Sequence, residues 1–320
     1  MSDDAALRDA AETAVHQCLN VQADESFVVV TDDERWEIGK LLYEVASDVT
    51  DDAVVVRYPP ADQHAEEPPV PVSAAMAEAD VFLAPTSKSL SHTRARSAAN
   101  EAGARGSTMP GITEEILRLG LDADYEAIAA HCADVLEQVG DADEIRVVTD
   151  AGTDVTFEPG DREWHEDTGM VHDAGGFSNL PAGEVFVSPE GASGTYVVDG
   201  TMMPHGLLAE GQRLRFEVED GYVTDISDDD IREQVEAGAE EVGRDAYNVA
   251  ELGIGTNVGV TDLVGSTLLD EKAAGTVHVA IGDDASIGGD TEAPLHLDGI
   301  VRDPTVYADG EEVSLPSAGD

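Results

Sequence analysis

Positive charge is what this sequence has least of. Lys and Arg total 17 against 68 Asp and Glu in 320 residues, and the formal net charge is −51 at pH 7. A nucleic-acid partner is excluded by that balance, because a phosphate backbone is bound through a basic footprint that the chain lacks. Self-repulsion on this scale loosens a compact chain unless counterions screen it. Aromatic residues are also scarce, at 5%, and acidic chains poor in aromatics are usually disordered. Hydrophobic residues nevertheless reach 42% and recur in regular runs. The expectation is a folded protein adapted to concentrated salt, from a halophilic source. Lys is the rarest charged residue, which fits a surface that has exchanged Lys for Asp and Glu.

Cysteine is nearly absent too. Cys18 and Cys132 lie in helix-like segments without CxxC spacing, which excludes a disulfide framework and a zinc knuckle. No apolar run reaches membrane-spanning length, so no membrane partner is expected. The N-terminal "MSDDAALRDAAE" is acidic where a signal peptide would be basic and then apolar, and the expected location is cytoplasmic. A GxGxxG after the first strand is missing, as is a P-loop, so an α/β pattern here reads as scaffold rather than nucleotide site.

That α/β pattern fills the first part of the chain. "SFVVVTD", "DAVVVRY" and "DVFLAP" are strand-like, and they alternate with helical stretches such as "ERWEIGKLLYEVASDV", "AAMAEA" and "SHTRARSAANEAG", the last with Ser91 as its cap. "GITEEILRLGL" and "YEAIAAHCADVLEQV" extend the series. Alternation of this kind predicts a Rossmann-like α/β domain over residues 1–143, with a parallel sheet and helices on both faces. From "EIRVVTD" onward, short strands separated by Gly, Pro and Asp dominate, interrupted by one helix over roughly 228–248. Residues 144–320 therefore read as a β-rich α+β domain. Two domains suit a chain of this length.

With 68 carboxylates, most Asp and Glu carry no information. Many stand in acidic runs or polar stretches, but a few stand in apolar ones. In "APLHLDGIV" a strand would project His296 and Asp298 to one face, with Leu295 and Leu297 on the other. His278 is enclosed by apolar residues in "TVHVAIG". Glu184 opens the apolar strand "EVFV" after the turn-forming "NLP", and Glu251 lies between Ala250 and Leu252 beside glycines. Charged residues are rarely buried without a partner or a metal. A lone His in an apolar strand is more often a hydrogen-bonded core residue than a ligand, and H-x-D alone is a weak signal. Five such residues in one domain point to a metal site. The remaining histidines (His16, His64, His92, His131, His165, His172, His205) are assigned to surface or structural roles, with His172 and His205 in loops of the second domain.

"NLPAGEVFVSPEG", "AELGIGTN", "GTVHVAIGDD" and "APLHLDGIV" resemble, in order, the metal-binding segments of the M29 metallopeptidases, the aminopeptidase T and leucyl aminopeptidase type. "HTRARSAANEAGARGSTMPGITEE" resembles a segment of that family's N-terminal domain. The resemblance implies five metal ligands at Glu184, Glu251, His278, His296 and Asp298. It implies two divalent ions (Zn, Co or Mn), removal of N-terminal residues from small peptides, and a homodimer. The family's acidic residue shortly before the first ligand His has its nearest counterpart in Glu271, the general-base candidate. Two departures stand out: "GDDASIGG" replaces a family Tyr, and the stretch from His278 to His296 is short. They bring in a second relative, the ring-opening 2,5-dihydroxypyridine dioxygenases, which use a single Fe(II). His278, His296 and Asp298 would supply a 2-His-1-carboxylate set for that chemistry on a small-molecule substrate. A metal-stabilised binding protein without turnover is the reading from another class.

Overall fold

The computed structural model describes residues 3–318. The chain forms two compact units, Met1–Ala129 with Asp167–Ala182, and Ala130–Glu166 with Gly183–Asp320. A single boundary between residues 143 and 144 does not describe this division, because the segment 167–182 returns to the first unit. Its return is made by a three-residue strand, Phe177–Asn179, too short and polar to carry a hydrophobic period.

The first unit is built on a parallel sheet in the strand order 53–58, 27–32, 81–86, 105–110 and 177–179. Alternate residues of these strands serve the two faces. Val28, Val30, Phe82 and Ala84 pack with Val72, Met76 and Ala99, from the helices Val70–Ala77 and Arg94–Glu101. On the other face Gly39, in the helix Trp36–Ser47, lies so close to Thr31 that a Cβ would stand 2.7 Å from its side chain. The strand Arg105–Pro110 carries no apolar run, yet its first five residues are buried. Gly106 is needed there, since a Cβ would meet the Phe82 carbonyl oxygen at 2.3 Å. The helix cap also lies two residues beyond its sequence assignment. Thr93 accepts from Arg96 N, while Ser91 instead bonds Thr108 Oγ1 at 2.7 Å and donates to Asn179 Oδ1 at 2.8 Å.

The second unit holds two seven-stranded sheets. One runs in the order 222–226, 214–219, 191–198, 154–158, 145–148, 305–308 and 311–312 and is antiparallel throughout. The other runs 206–207, 201–202, 296–301, 277–282, 249–255, 184–187 and 165–167. The long helix is Asp229–Val242, capped by Asp228 and extended by a 3₁₀ turn, Gly243–Tyr247. Neither cysteine is in a disulfide. Among the described residues no helix is long and apolar enough to cross a membrane.

Candidate metal centre

Register in the second of these sheets decides where the candidate residues go. Gly255 pairs with Glu184 and Gly253 with Phe186; Gly253 also pairs with His278 and Glu251 with Ala280. On the other side, His278 pairs with Ile300, Ala280 with Asp298 and Gly282 with His296. Paired residues share a face, so Glu184, Glu251, His278, His296 and Asp298 all stand on one side of four adjacent strands. A bulge between Val249 and Glu251 changes parity at that point. Val249 pairs with Ile281 on the apolar face while Glu251 stays with the polar group. Small residues alternate with the functional ones. A Cβ on Gly253 would lie 2.0 Å from His278 Cε1 and 2.2 Å from Nε2, so the imidazole occupies the space this glycine leaves.

The side chains meet closely. His278 Nε2 is 3.1 Å from Glu251 Oε1 and 3.7 Å from Glu184 Oε2. His296 Nε2 is 3.4 Å from Glu251 Oε2 and 3.2 Å from Asp298 Oδ1. Glu251 thus faces one imidazole with each oxygen. His296 Nδ1 donates to the Asp283 carbonyl at 2.7 Å, which leaves Nε2 as the outward donor atom. Glu184, Glu251 and His278 are buried, whereas 34% of the His296 side chain is exposed, so the cluster opens on the His296 side.

Glu271 also comes to this group, and its neighbour Lys272 is a member that the sequence reading missed. Lys272 is 3% exposed. Its ammonium lies 2.5 Å from Glu184 Oε1 and 2.7 Å from Glu271 Oε1. A signal was available, since the chain has just three lysines, Lys40, Lys88 and Lys272, and the last directly follows the Glu candidate. His165 stacks on Phe186 with ring centroids 5.2 Å apart, on the strand beside Glu184. His172 and His205 do not join the group. His172 Nε2 bonds the Gln17 carbonyl oxygen, and His205 pairs with Asp228.

Four carboxylates, two imidazoles and one ammonium make an unbalanced set. Burial pushes the Glu184 carboxyl up to about 8, against the opposing pull of Lys272 and His278. Burial likewise raises Glu271. Burial alone would lower the His278 imidazole, but the Glu251 hydrogen bond and the Glu184 charge push it up to about 9. His296 is driven well above its ordinary value by Asp298 and Glu251, again against burial. Glu251 and Asp298 would be raised by burial, but the imidazoles beside them hold both below the usual carboxylate range. Protons on two imidazoles are thus serving as the counter-cations of this cluster.

A divalent ion fits the same place better. Glu184 Oε2 and His278 Nδ1 are buried and have no hydrogen-bond partner among the described residues, and an ion would satisfy the carboxylate oxygen. Two groups offer three donor atoms within 4.8 Å of one another: Glu184, Glu251 and His278, and Glu251, His296 and Asp298. The donors are nitrogen and oxygen, suited to borderline divalent metals. The grouping differs from the triad of His278, His296 and Asp298 read from sequence, because Glu251 stands between the two histidines. A further group, His205, Asp228 and Asp230, is more exposed.

A family model described as 2,5-dihydroxypyridine 5,6-dioxygenase (NicX) matches residues 7–316. The chain belongs to this dioxygenase family. In fold it is similar to the 2,5-dihydroxypyridine dioxygenase from Pseudomonas putida KT2440, with a TM-score of 0.78, 20% identity and coverage of 100% of this chain and 97% of that one. It is also similar to wild-type AmpT from Thermus thermophilus, with a TM-score of 0.65, 17% identity and coverage of 97% and 100%. No curated protein matches. Of the two relatives that the motifs resemble, the family match falls on the one the departures introduced.

Proposed function

We propose that this member of the dioxygenase family is a metalloenzyme that opens a hydroxylated N-heteroaromatic ring, of the 2,5-dihydroxypyridine kind, with O₂. The observation that carries the reading is the family match from residue 7 to 316, which spans the whole cluster. Fe(II) would be held from His278, His296, Asp298 and the Glu251 that faces both imidazoles. Bound there, Fe(II) supplies the electron-transfer chemistry with O₂ that a closed-shell ring lacks.

The rest falls to the chain. The Asp283 carbonyl orients His296, and Gly253 leaves room for His278. Phe186, stacked on His165, shares the sheet face of Glu184 and gives a planar ring a surface to lie against. Glu271, raised by burial, is the acid–base candidate for a substrate hydroxyl.

A two-metal aminopeptidase is the second reading. One observation favours it: Glu251 belongs to both three-residue groups, as a carboxylate bridging two ions would. The assay that separates the two uses molar salt, since screening offsets the −51 charge. Protein loaded anaerobically with Fe(II) is expected to take up O₂ when given 2,5-dihydroxypyridine. The zinc-, cobalt- or manganese-loaded protein is expected to leave an aminoacyl-amide chromogen intact. Amide cleavage without O₂ uptake would replace the first reading with the second.

A further inference from the structure

We propose that Lys272 is a resident cation of this centre, occupying the place of a second metal ion and limiting the site to one divalent ion per chain. The inference rests on the metal-binding reading of the cluster and adds a residue that decides how many ions it takes.

The residue's placement is unusual for its type. Lysine is almost never fully buried without partners. Here the chain has three lysines among 320 residues, and one of them is buried between two site carboxylates. The pairing is also specific in its atoms. A second ion beside the shared Glu251 would need Glu184 and His278. Lys272 already takes Glu184 Oε1 at 2.5 Å, so Glu184 keeps one oxygen, Oε2, facing His278. Glu271, the other carboxylate near enough to help, is occupied by the same ammonium at 2.7 Å.

The backbone holds Lys272 in place. Its N–H donates to Leu269 and its carbonyl accepts from Asn257 N, so the residue is fixed at both sides of its Cα. Charge points the same way. Fully ionised around bound metal, Glu184, Glu251, Glu271 and Asp298 would carry four negative charges, and two divalent ions alone would balance them. With the ammonium present, two ions overshoot to a buried positive charge, and the second would sit against the ammonium where like charges repel strongly. One ion with Lys272 leaves a single negative charge, at a cluster that opens to solvent on the His296 side.

The test is a stoichiometry. Cobalt or zinc is titrated into the metal-free full chain and into Lys272→Met, which keeps an unbranched side chain one atom shorter and removes its charge. The expected result is one ion per wild-type chain and two per Lys272→Met chain. A merely structural lysine would not raise the count. Two ions in the wild type, or one in a folded Lys272→Met, would overturn the proposal while leaving the metal centre standing. No ion in the wild type would instead remove the metal-binding reading itself. Should Lys272→Met not fold, cobalt-edge anomalous diffraction from wild-type crystals serves. One peak, with the ammonium still on Glu184, supports the proposal, and a second peak between Glu184 and Glu251 contradicts it.

Discussion

Each unit buries a basic side chain against carboxylate, and the two arrangements could hardly differ more in purpose. In the first unit Arg105, 9% exposed, makes two parallel bonds to Glu25, both 2.7 Å, and two more to the carbonyls of Leu19 and Asn20. One cation meets one anion, and the remaining donors find carbonyls. In the second unit Lys272 meets two carboxylates and stands within a set of four, beside Glu184 Oε2 and His278 Nδ1, which have no hydrogen-bond partner among the described residues. Buried charge is therefore not by itself the mark of a site. What marks the second cluster is an excess of one sign, gathered on one face of one sheet where two groups of three donor atoms lie within 4.8 Å of one another. Asp32 makes the same point as Arg105. It is 1% exposed and accepts from Glu34 N, Arg35 N, Ser87 N and Ser87 Oγ.

The comparison breaks most visibly if the second cluster is only structural. Asp298→Ala and His296→Ala are each expected to abolish metal retention and to lower turnover by roughly a thousandfold or more, as removing a group that acts as part of a unit does. The first unit has its own core, so circular dichroism should still report its helices. Wild-type metal content in both variants would remove "LHLDG" from the site. Gly253→Ala is expected to act next most strongly. Its methyl group needs the space of the His278 ring, and the displaced imidazole should weaken metal binding by about 10–100-fold. Unchanged affinity by competition with a chelator would show that His278 is no ligand.

Arg105→Met tests the other half of the comparison. Loss of the guanidinium leaves Glu25 partly buried and unpaired, for an expected cost of about 1–3 kcal/mol in chemical denaturation, with metal content unaltered. A metal-free variant at this position would mean that the two regions are not independent in the way their chemistry implies.

The smallest expected effect sharpens the electrostatics. In the metal-free protein the His278 pKa is raised to about 9 from an unfolded value of 6.5. A raised pKa stabilises the fold below the unfolded value, and that stability is lost as pH climbs through the folded one. Glu184, raised to about 8, works in the same direction. Melting temperature of the metal-free chain should therefore fall between about pH 6.5 and 9, by an amount on the order of 1–3 kcal/mol in stability. The metal-loaded chain, its imidazoles already deprotonated, should show a flatter profile, and identical profiles would count against protons standing in for the ion.

Much of this centre was legible because strands have a period of two. His296 and Asp298 share a face for that reason, and the apolar context of His278, Glu184 and Glu251 set them apart from the other carboxylates. The parallel sheet was legible wherever its strands are β-branched runs, as in "FVVVTD" and "AVVVRY". The strand Arg105–Pro110 escaped because its burial is satisfied by hydrogen bonds, Thr108 to Ser91 and Asn179, rather than by apolar side chains. Lys272 escaped for a related reason: its partner Glu184 is 88 residues away, and only the fold brings them together. Nor does any local pattern announce the bulge after Val249, which depends on how its neighbours pair.

Isotope labelling separates ring opening by O₂ at this cluster from hydrolysis. Fe(II)-loaded protein is given 2,5-dihydroxypyridine under ¹⁸O₂ in ordinary water, and the product is weighed by mass spectrometry. Both labelled atoms are expected in one ring-opened molecule. Product without label, or label that enters from H₂¹⁸O alone, would contradict ring opening by O₂.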